Sequence, residues 1–367
     1  MNPSIALDLR EAAAPAAPTA RAAAGRIADD KAMLRAAAEI ARDLHKPNRA
    51  IFWTDMLASA AIGYGALAAT ILAPSTGWAL LAAAVAVLAL YRALLFIHEI
   101  SHLKHSNLPG FRLVWNTLVG VPLMVPSFMY EGVHNLHHAR TRYGTVEDPE
   151  YLPLALMKPW TLPLFVLVSA LAPIGLLLRY AVLSPLSLAV PPLRRIVRER
   201  YSGLVINPAF RRRPAEGADR TRWLAQEVAT SVWAIALIAL TATGVIPLGA
   251  FLIFLGVISA VTVINQIRTL VAHLWENEGE AMTVTAQYLD SVNVPPPGLL
   301  PALWAPVGLR YHALHHLLPS VPYHNLGIAH RRLTAMLEPD SPYHKASYKG
   351  LPGLVGQLAR STMGARR

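Results

Sequence analysis

The sequence predicts an all-α integral membrane protein: four transmembrane helices in two hairpins, interfacial helices beside them, and a cytoplasmic helical cap that holds metal. Three observations carry this expectation. Of the 367 residues, 54% are hydrophobic and only 15% are charged, which is too apolar for a soluble chain of this size. Apolar runs at 51–73, 77–97, 223–243 and 246–270 are each long enough to cross about 30 Å of hydrocarbon. Three clusters of histidine follow such runs, spaced so that one helical face would gather the imidazoles.

Composition also excludes several classes. There is no cysteine, so disulfides, iron–sulfur clusters and thiolate zinc sites are ruled out. The net charge is +11, but the arginines and lysines flank apolar spans and are not interleaved with aromatics. That distribution suits membrane lipid with anionic headgroups and argues against nucleic acid.

Residues 1–30 are rich in Ala, Pro and Arg, without the apolar core of a signal peptide, and read as a disordered cytoplasmic tail. Residues 31–335 read as one membrane domain and 336–367 as a C-terminal tail. A mixed Ala and charged pattern over 31–43 predicts a surface helix. Residues 51–73 and 77–97, joined at Pro-Ser-Thr-Gly, form the first hairpin and return His98 and His102 to the starting side, the cytoplasmic one by the positive-inside tendency.

Residues 113–129 are short and broken by Gly120, Pro122 and Pro126, so they are expected to dip into the interface. Residues 160–190 are long enough to cross once, but Pro163, Pro173 and Pro185 interrupt them. A single crossing would also place the arginines between Arg194 and Arg213 outside. An interfacial or re-entrant helical pair is therefore expected there. Residues 223–243 and 246–270 form the second hairpin, and four spans keep every histidine cluster on one side.

The clusters are His98-Glu99-Ile100-Ser101-His102, His134-Asn135-Leu136-His137-His138 and His312-Ala313-Leu314-His315-His316. Neutral imidazole is the commonest side-chain metal ligand. Eight such histidines exceed what one zinc would use, which argues for more than one ion. Imidazole sites without thiolate suit iron, zinc, copper or nickel. Two irons close together would activate dioxygen, as attack on an unactivated C–H bond requires. The first cluster also matches the H-E-x-x-H pattern of zinc proteases, which makes an intramembrane protease a competing reading.

The order of the three boxes, the third following a transmembrane hairpin, resembles the membrane fatty acid desaturase family. The resemblance covers about residues 51–333. The surroundings at 147–151 and 317–326 are similar to those of bacterial acyl-chain desaturases, implying a bacterial inner membrane with the site facing the cytoplasm. It implies a di-iron centre in the cap held by nine histidines, the ninth matching His273. Where animal acyl-CoA desaturases hold an iron-bound water with an Asn one turn before that histidine, this chain has Thr269, with Asn265 and Asn277 as neighbouring substitutes.

The family further implies dioxygen as co-substrate and electrons from a separate ferredoxin-, rubredoxin- or cytochrome-type protein. The product would be a double bond in an acyl chain carried on CoA, a carrier protein or a lipid. Glu99, Glu131, Glu147 and Asp148 are candidates to accept the second ring N–H of ligand histidines. Arg211, Arg212 and Arg213, with Arg331 and Arg332, are candidates to bind headgroup phosphates. His105, His324 and His330 read as surface or structural groups. A hydroxylase or ketolase on the same scaffold is the nearest alternative, separated by gain of oxygen instead of loss of hydrogen. A metal transporter is disfavoured because the histidines gather at helix ends and do not line a path through the bilayer.

Overall fold

Asp30 accepts the Ala32 and Met33 amides and so starts α1, Lys31–Leu44. The computed structural model describes residues 27–364, so the expected N-terminal tail lies almost wholly outside it. Met33, Ala36, Ala37 and Ile40 recur at helical spacing and are buried, making α1 the lid of a small core that includes Tyr288, Leu314, Leu326 and Tyr343. Asn48 caps α2, Arg49–Ile71, and Ser75 caps the next helix, α3, Thr76–His102.

The α2–α3 hairpin closes tightly at Gly63. A Cβ there would lie 2.7 Å from the Leu90 side chain and 3.0 Å from its backbone nitrogen. The side chain can move aside, but the backbone of a packed helix cannot. Gly63→Ala should therefore cost about 1–3 kcal/mol, seen as a lowered midpoint in thermal unfolding of the detergent-purified protein.

As expected from its prolines and glycine, the stretch after α3 does not form a long helix. Phe111–Trp115 is α-helical and Asn116–Gly120 continues as a π-turn. Trp115 is buried and donates its indole N–H to the Ala93 carbonyl, while Asn116 bonds the Ser127 backbone and hydroxyl. These bonds fold the segment back beside α3 and deliver the short helix α4, His134–His137.

The stretch expected as an interfacial or re-entrant helical pair forms one long run of helix. Five helices are long and apolar enough to cross a membrane, the additional one being α5, Thr161–Ala189. Its prolines do not break it. Pro163 lies in the first turn, Pro173 follows a 3-10 stretch at Val168–Leu171, and Pro185 follows a π-turn at Arg179–Leu183. Both of those turns reroute backbone bonds that a proline would otherwise leave broken.

Basic α6, Pro191–Arg200, comes next. The chain then returns to segments that precede α5: Leu204 N–H donates to the Met129 carbonyl, and the Ile206 and Asn207 amides donate to that of Pro149.

Helices α7, Gly217–Ala242, and α8, Leu248–Leu270, form the remaining hairpin. The main core lies among the spans, from Phe52 and Leu90 to Ala234 and Val261. Beyond α8 come α9, His312–Leu317, α10, Tyr323–Met336, and α11, Leu351–Gly364. Thus the segment expected as a C-terminal tail carries a helix, whose Leu354 and Leu358 are buried beside Val271 and Trp275. Among the described residues there are no strands, only isolated bridges such as His273 to Ser291.

Candidate metal centre

The end of α3, the α4 turn, the residues just past α8, and α9 converge at one end of the helical bundle. Between them they bring all nine predicted histidines together. His98, His102, His134, His138 and His315 form one group; His137, His273, His312 and His316 form the other. In each group one nitrogen per residue lies within 4.8 Å of all the others. Adjacent histidines of a box serve different groups: His137 and His138 split, as do His315 and His316.

The tautomers show what these groups can hold. His137 Nδ1 lies 2.9 Å from Asp148 Oδ2 and His134 Nδ1 lies 2.9 Å from Glu150 Oε1. His273 Nδ1 lies 2.8 Å from the Tyr143 hydroxyl, which also donates to Asp290 Oδ2 at 2.7 Å. An ionised carboxylate only accepts, so His137 carries its proton on Nδ1 and turns the Nε2 lone pair inward, as His134 does when Glu150 is ionised.

The inward nitrogens then crowd together. His315 Nε2 is 3.1 Å from Nε2 of both His102 and His138, and His312 Nε2 is 2.9 Å from that of His273. His138, His312 and His315 bury Nδ1 without a partner among the described residues, and His98 buries both nitrogens. A neutral imidazole has one proton and cannot satisfy several facing lone pairs. Two cations would do so, and the donor set fits a pair of imidazole-ligated metal ions.

Electrostatics favour ligation. Burial and neighbouring imidazoles hold His134, His138, His315 and His316 well below the ordinary histidine range, so they are neutral ligands at pH 7. His273 and His312 are lowered too, by burial and by neighbouring charges that include Arg268. His137 differs: burial opposes its charged form, but Asp148 outweighs burial and raises its pKa. Burial also lifts Glu150 to about 7 and Asp290 to about 6.

Of the predicted acidic partners, Asp148 meets a histidine. Glu99 is buried, but its Oε1 is 3.5 Å from His98 Nδ1, without hydrogen-bond geometry, and its Oε2 accepts the Tyr323 amide. Glu131 is occupied by Arg112, Arg222 and Ser127, and Glu147 is exposed beside Arg142. Thr269 donates to the Asn265 carbonyl of its own helix, and the Asn265 side chain accepts from Arg268. Asn277 ties the Gly144 and Glu280 carbonyls together. Among the described residues none of these three polar side chains hydrogen-bonds a histidine.

Glu150, Asp290, Tyr143 and Tyr130 are the partners that sequence reasoning missed. Glu150 stands two residues from Asp148 in a loop without helical or strand periodicity, so nothing in the pattern separates it from Glu147. Asp290 follows His273 by 17 positions and joins it only through the fold. Arg268 reads in sequence as an ordinary cation at the end of an apolar span.

The arginine triplet is not one surface patch. Arg211 and Arg213 are exposed, but Arg212 is buried, bonds the Phe128, Glu131 and Ser202 carbonyls and stacks 3.8 Å over Trp223. It pins the turn before α4, so its role as a headgroup ligand is corrected to a structural one. Arg212→Ala should cost about 3 kcal/mol, since three buried carbonyls lose their donor. Lysine should restore little of it, lacking the planar fork. Thermal unfolding of both variants checks this.

Comparison with known proteins places these features in context. Residues 76–348 match the family model described as "Fatty acid desaturase". A ceramide hydroxylase from Caulobacter vibrioides (strain NA1000 / CB15N) is 51% identical over 333 residues, which cover 91% of this chain and 95% of that protein. Both matches run through the histidine boxes, and with them the chain belongs to the fatty acid desaturase family of membrane oxidoreductases that act on lipid acyl chains.

Proposed function

We propose that the protein hydroxylates a ceramide or a close N-acyl relative, using two irons, dioxygen and two electrons from a separate donor protein. The observation that carries hydroxylation over desaturation is the 51% identity to a ceramide hydroxylase along nearly the whole of both chains. In the balanced reaction a C–H bond, dioxygen, two electrons and two protons give C–OH and water. Iron, when bound, supplies reductive activation of dioxygen.

The chain's own residues do the rest. The nine histidines offer five nitrogens to one ion and four to the other. Asp148 and Glu150 hold protons on the outer nitrogens of His137 and His134, and the Tyr143–Asp290 pair orients His273. Trp275 and Tyr143, both fully buried, wall His273 from bulk water. Thr269 spends its hydroxyl proton within its own helix, on the Asn265 carbonyl.

The return of the chain to Met129 and Pro149 after α5 supports a re-entrant α5 and α6, and so four crossings with all histidines on one side. The basic segments on that side support a cytoplasmic site in a bacterial inner membrane.

The test is a reconstituted assay with ceramide, dioxygen and a reduced ferredoxin-type donor, read by product mass. Gain of one oxygen supports the proposal. Loss of two hydrogens would return the chain to desaturation, and a single zinc with no iron in the purified protein would sink both.

A further inference from the structure

Away from the histidines, a groove of about 180 Å³ opens between α5 and α7. Its walls include Leu188, Leu224, Val228, Val232 and Ile235, all exposed on helices apolar enough to face lipid. Beneath these apolar walls lie Ser184, Glu227 and Ser231, each more than nine-tenths buried. Burying a carboxylate and two hydroxyls beneath a lipid-facing groove is costly unless each is satisfied.

These polar groups are only partly satisfied. Glu227 Oε1 is crowded, accepting from Arg179, Arg194 and Ser184. Its Oε2 accepts from Arg194 alone, at 2.6 Å, and keeps a free lone pair. Ser231 Oγ is buried with no partner among the described residues. The groove thus offers a carboxylate acceptor and, one helical turn away, a hydroxyl that both donates and accepts.

Depth narrows the ligand. Trp223, stacked under Arg212, ends the charged first turns of α7, which hold Asp219, Arg220 and Arg222. Glu227 lies one turn below it and Ser231 two turns, or about 6 and 12 Å. The ester region of a glycerophospholipid provides acceptors only and cannot bond Glu227. An N-acyl amino alcohol has an amide N–H and hydroxyls to give and a carbonyl to receive, and without a bulky headgroup it can sink to that level.

We propose that this groove is a binding site for the polar end of an N-acyl amino-alcohol lipid, with a donor on Glu227, an acceptor on Ser231 and a chain along Leu188 and Val232. The site deepens the ceramide reading above and rests on it for the ligand class. Gln226, the neighbour of Glu227, accepts the Phe128 amide, six residues before His134.

The full-length protein in phosphatidylcholine nanodiscs would be photolabelled with a diazirine-bearing N-acyl sphinganine and, separately, a diazirine-bearing phosphatidylcholine. Peptide mapping should place the sphinganine probe on residues 184–188 and 224–235, displaced by unlabelled ceramide. Ser231→Ala should weaken that displaceable labelling about fivefold, the worth of one neutral hydrogen bond. Val228→Trp, which fills the groove, should abolish it. Equal labelling of the groove by both probes, or unchanged labelling in Ser231→Ala, overturns the site.

Parallel turnover measurements separate the two claims. Ceramide oxidation without groove labelling discards the site and keeps the function. Specific labelling without oxidation keeps the lipid site and discards the function.

Discussion

His315→Ala is expected to abolish turnover and to lower bound iron from about two ions per chain to about one or none, while the helical fold persists. His315 is the hub of the five-histidine group. Its Nε2 sits 3.1 Å from the inward nitrogens of both His102 and His138, and its ring centroid is 4.3 Å from that of His98. The other two histidines of α9, His312 and His316, offer their nitrogens to the second group. Alanine would leave four imidazoles, two from α3 and two from the α4 turn, to hold an ion there.

The spans should survive because the residues that pack them, from Phe52 to Val261, do not depend on His315. Metal analysis of the purified variant, circular dichroism and product mass give three separate readouts. Near-normal turnover with full iron content would remove His315 from the centre.

Asp148→Asn should produce the second-largest loss, about 10–100-fold in iron affinity or turnover, as for partners that orient a metal-binding histidine. The substitution is nearly isosteric but reverses one hydrogen-bonding edge. Asp148 Oδ1 accepts the Glu150 amide at 2.8 Å and Oδ2 accepts the Gly144 amide at 2.8 Å, with His137 Nδ1 between them. Asparagine has one acceptor oxygen, so its NH₂ must face one of those amide donors.

The same change removes the charge that holds His137 above the ordinary histidine range against burial. His137 would then lose its preference for a proton on Nδ1 and with it the orientation of the Nε2 lone pair. Glu147→Gln, one residue away, is the control. That side chain is exposed and should leave iron content and turnover unchanged. Equal behaviour of the two variants, checked by chelator competition and turnover, would contradict the assignment.

Much of the site was legible before any coordinates. Histidines at i, i+3 and i+4 share a helix face whatever surrounds them, and no packing requirement explains three such boxes. The ligand candidates therefore follow from spacing, and His273 from resemblance. Their partition into groups of five and four did not follow, since neighbours such as His137 and His138 point to different groups only after α4 is set against α3 and α9. The acidic partners were harder still: of four candidates Asp148 meets a ligand histidine, Glu150 comes from a loop without a period to read, and Asp290 ends a short helix, Val284–Asp290, that only the fold brings to His273.

For the fold, local chemistry determined the capped hairpins, the re-folding of residues 113–129 and the absence of thiolate chemistry. Hydropathy and periodicity are properties of a segment by itself, so the sequence suffices for them. It overcounted the effect of Pro163, Pro173 and Pro185, because a 3-10 stretch and a π-turn absorb two of them inside one continuous helix.

Only the tertiary structure decided that Arg212 is buried, that the C-terminal helix packs beside Trp275, and that Ser231 is left without a partner beside Glu227. Each of these depends on which segments meet. Burial and hydrogen-bond satisfaction are settled between residues far apart in the chain, and no local pattern records them.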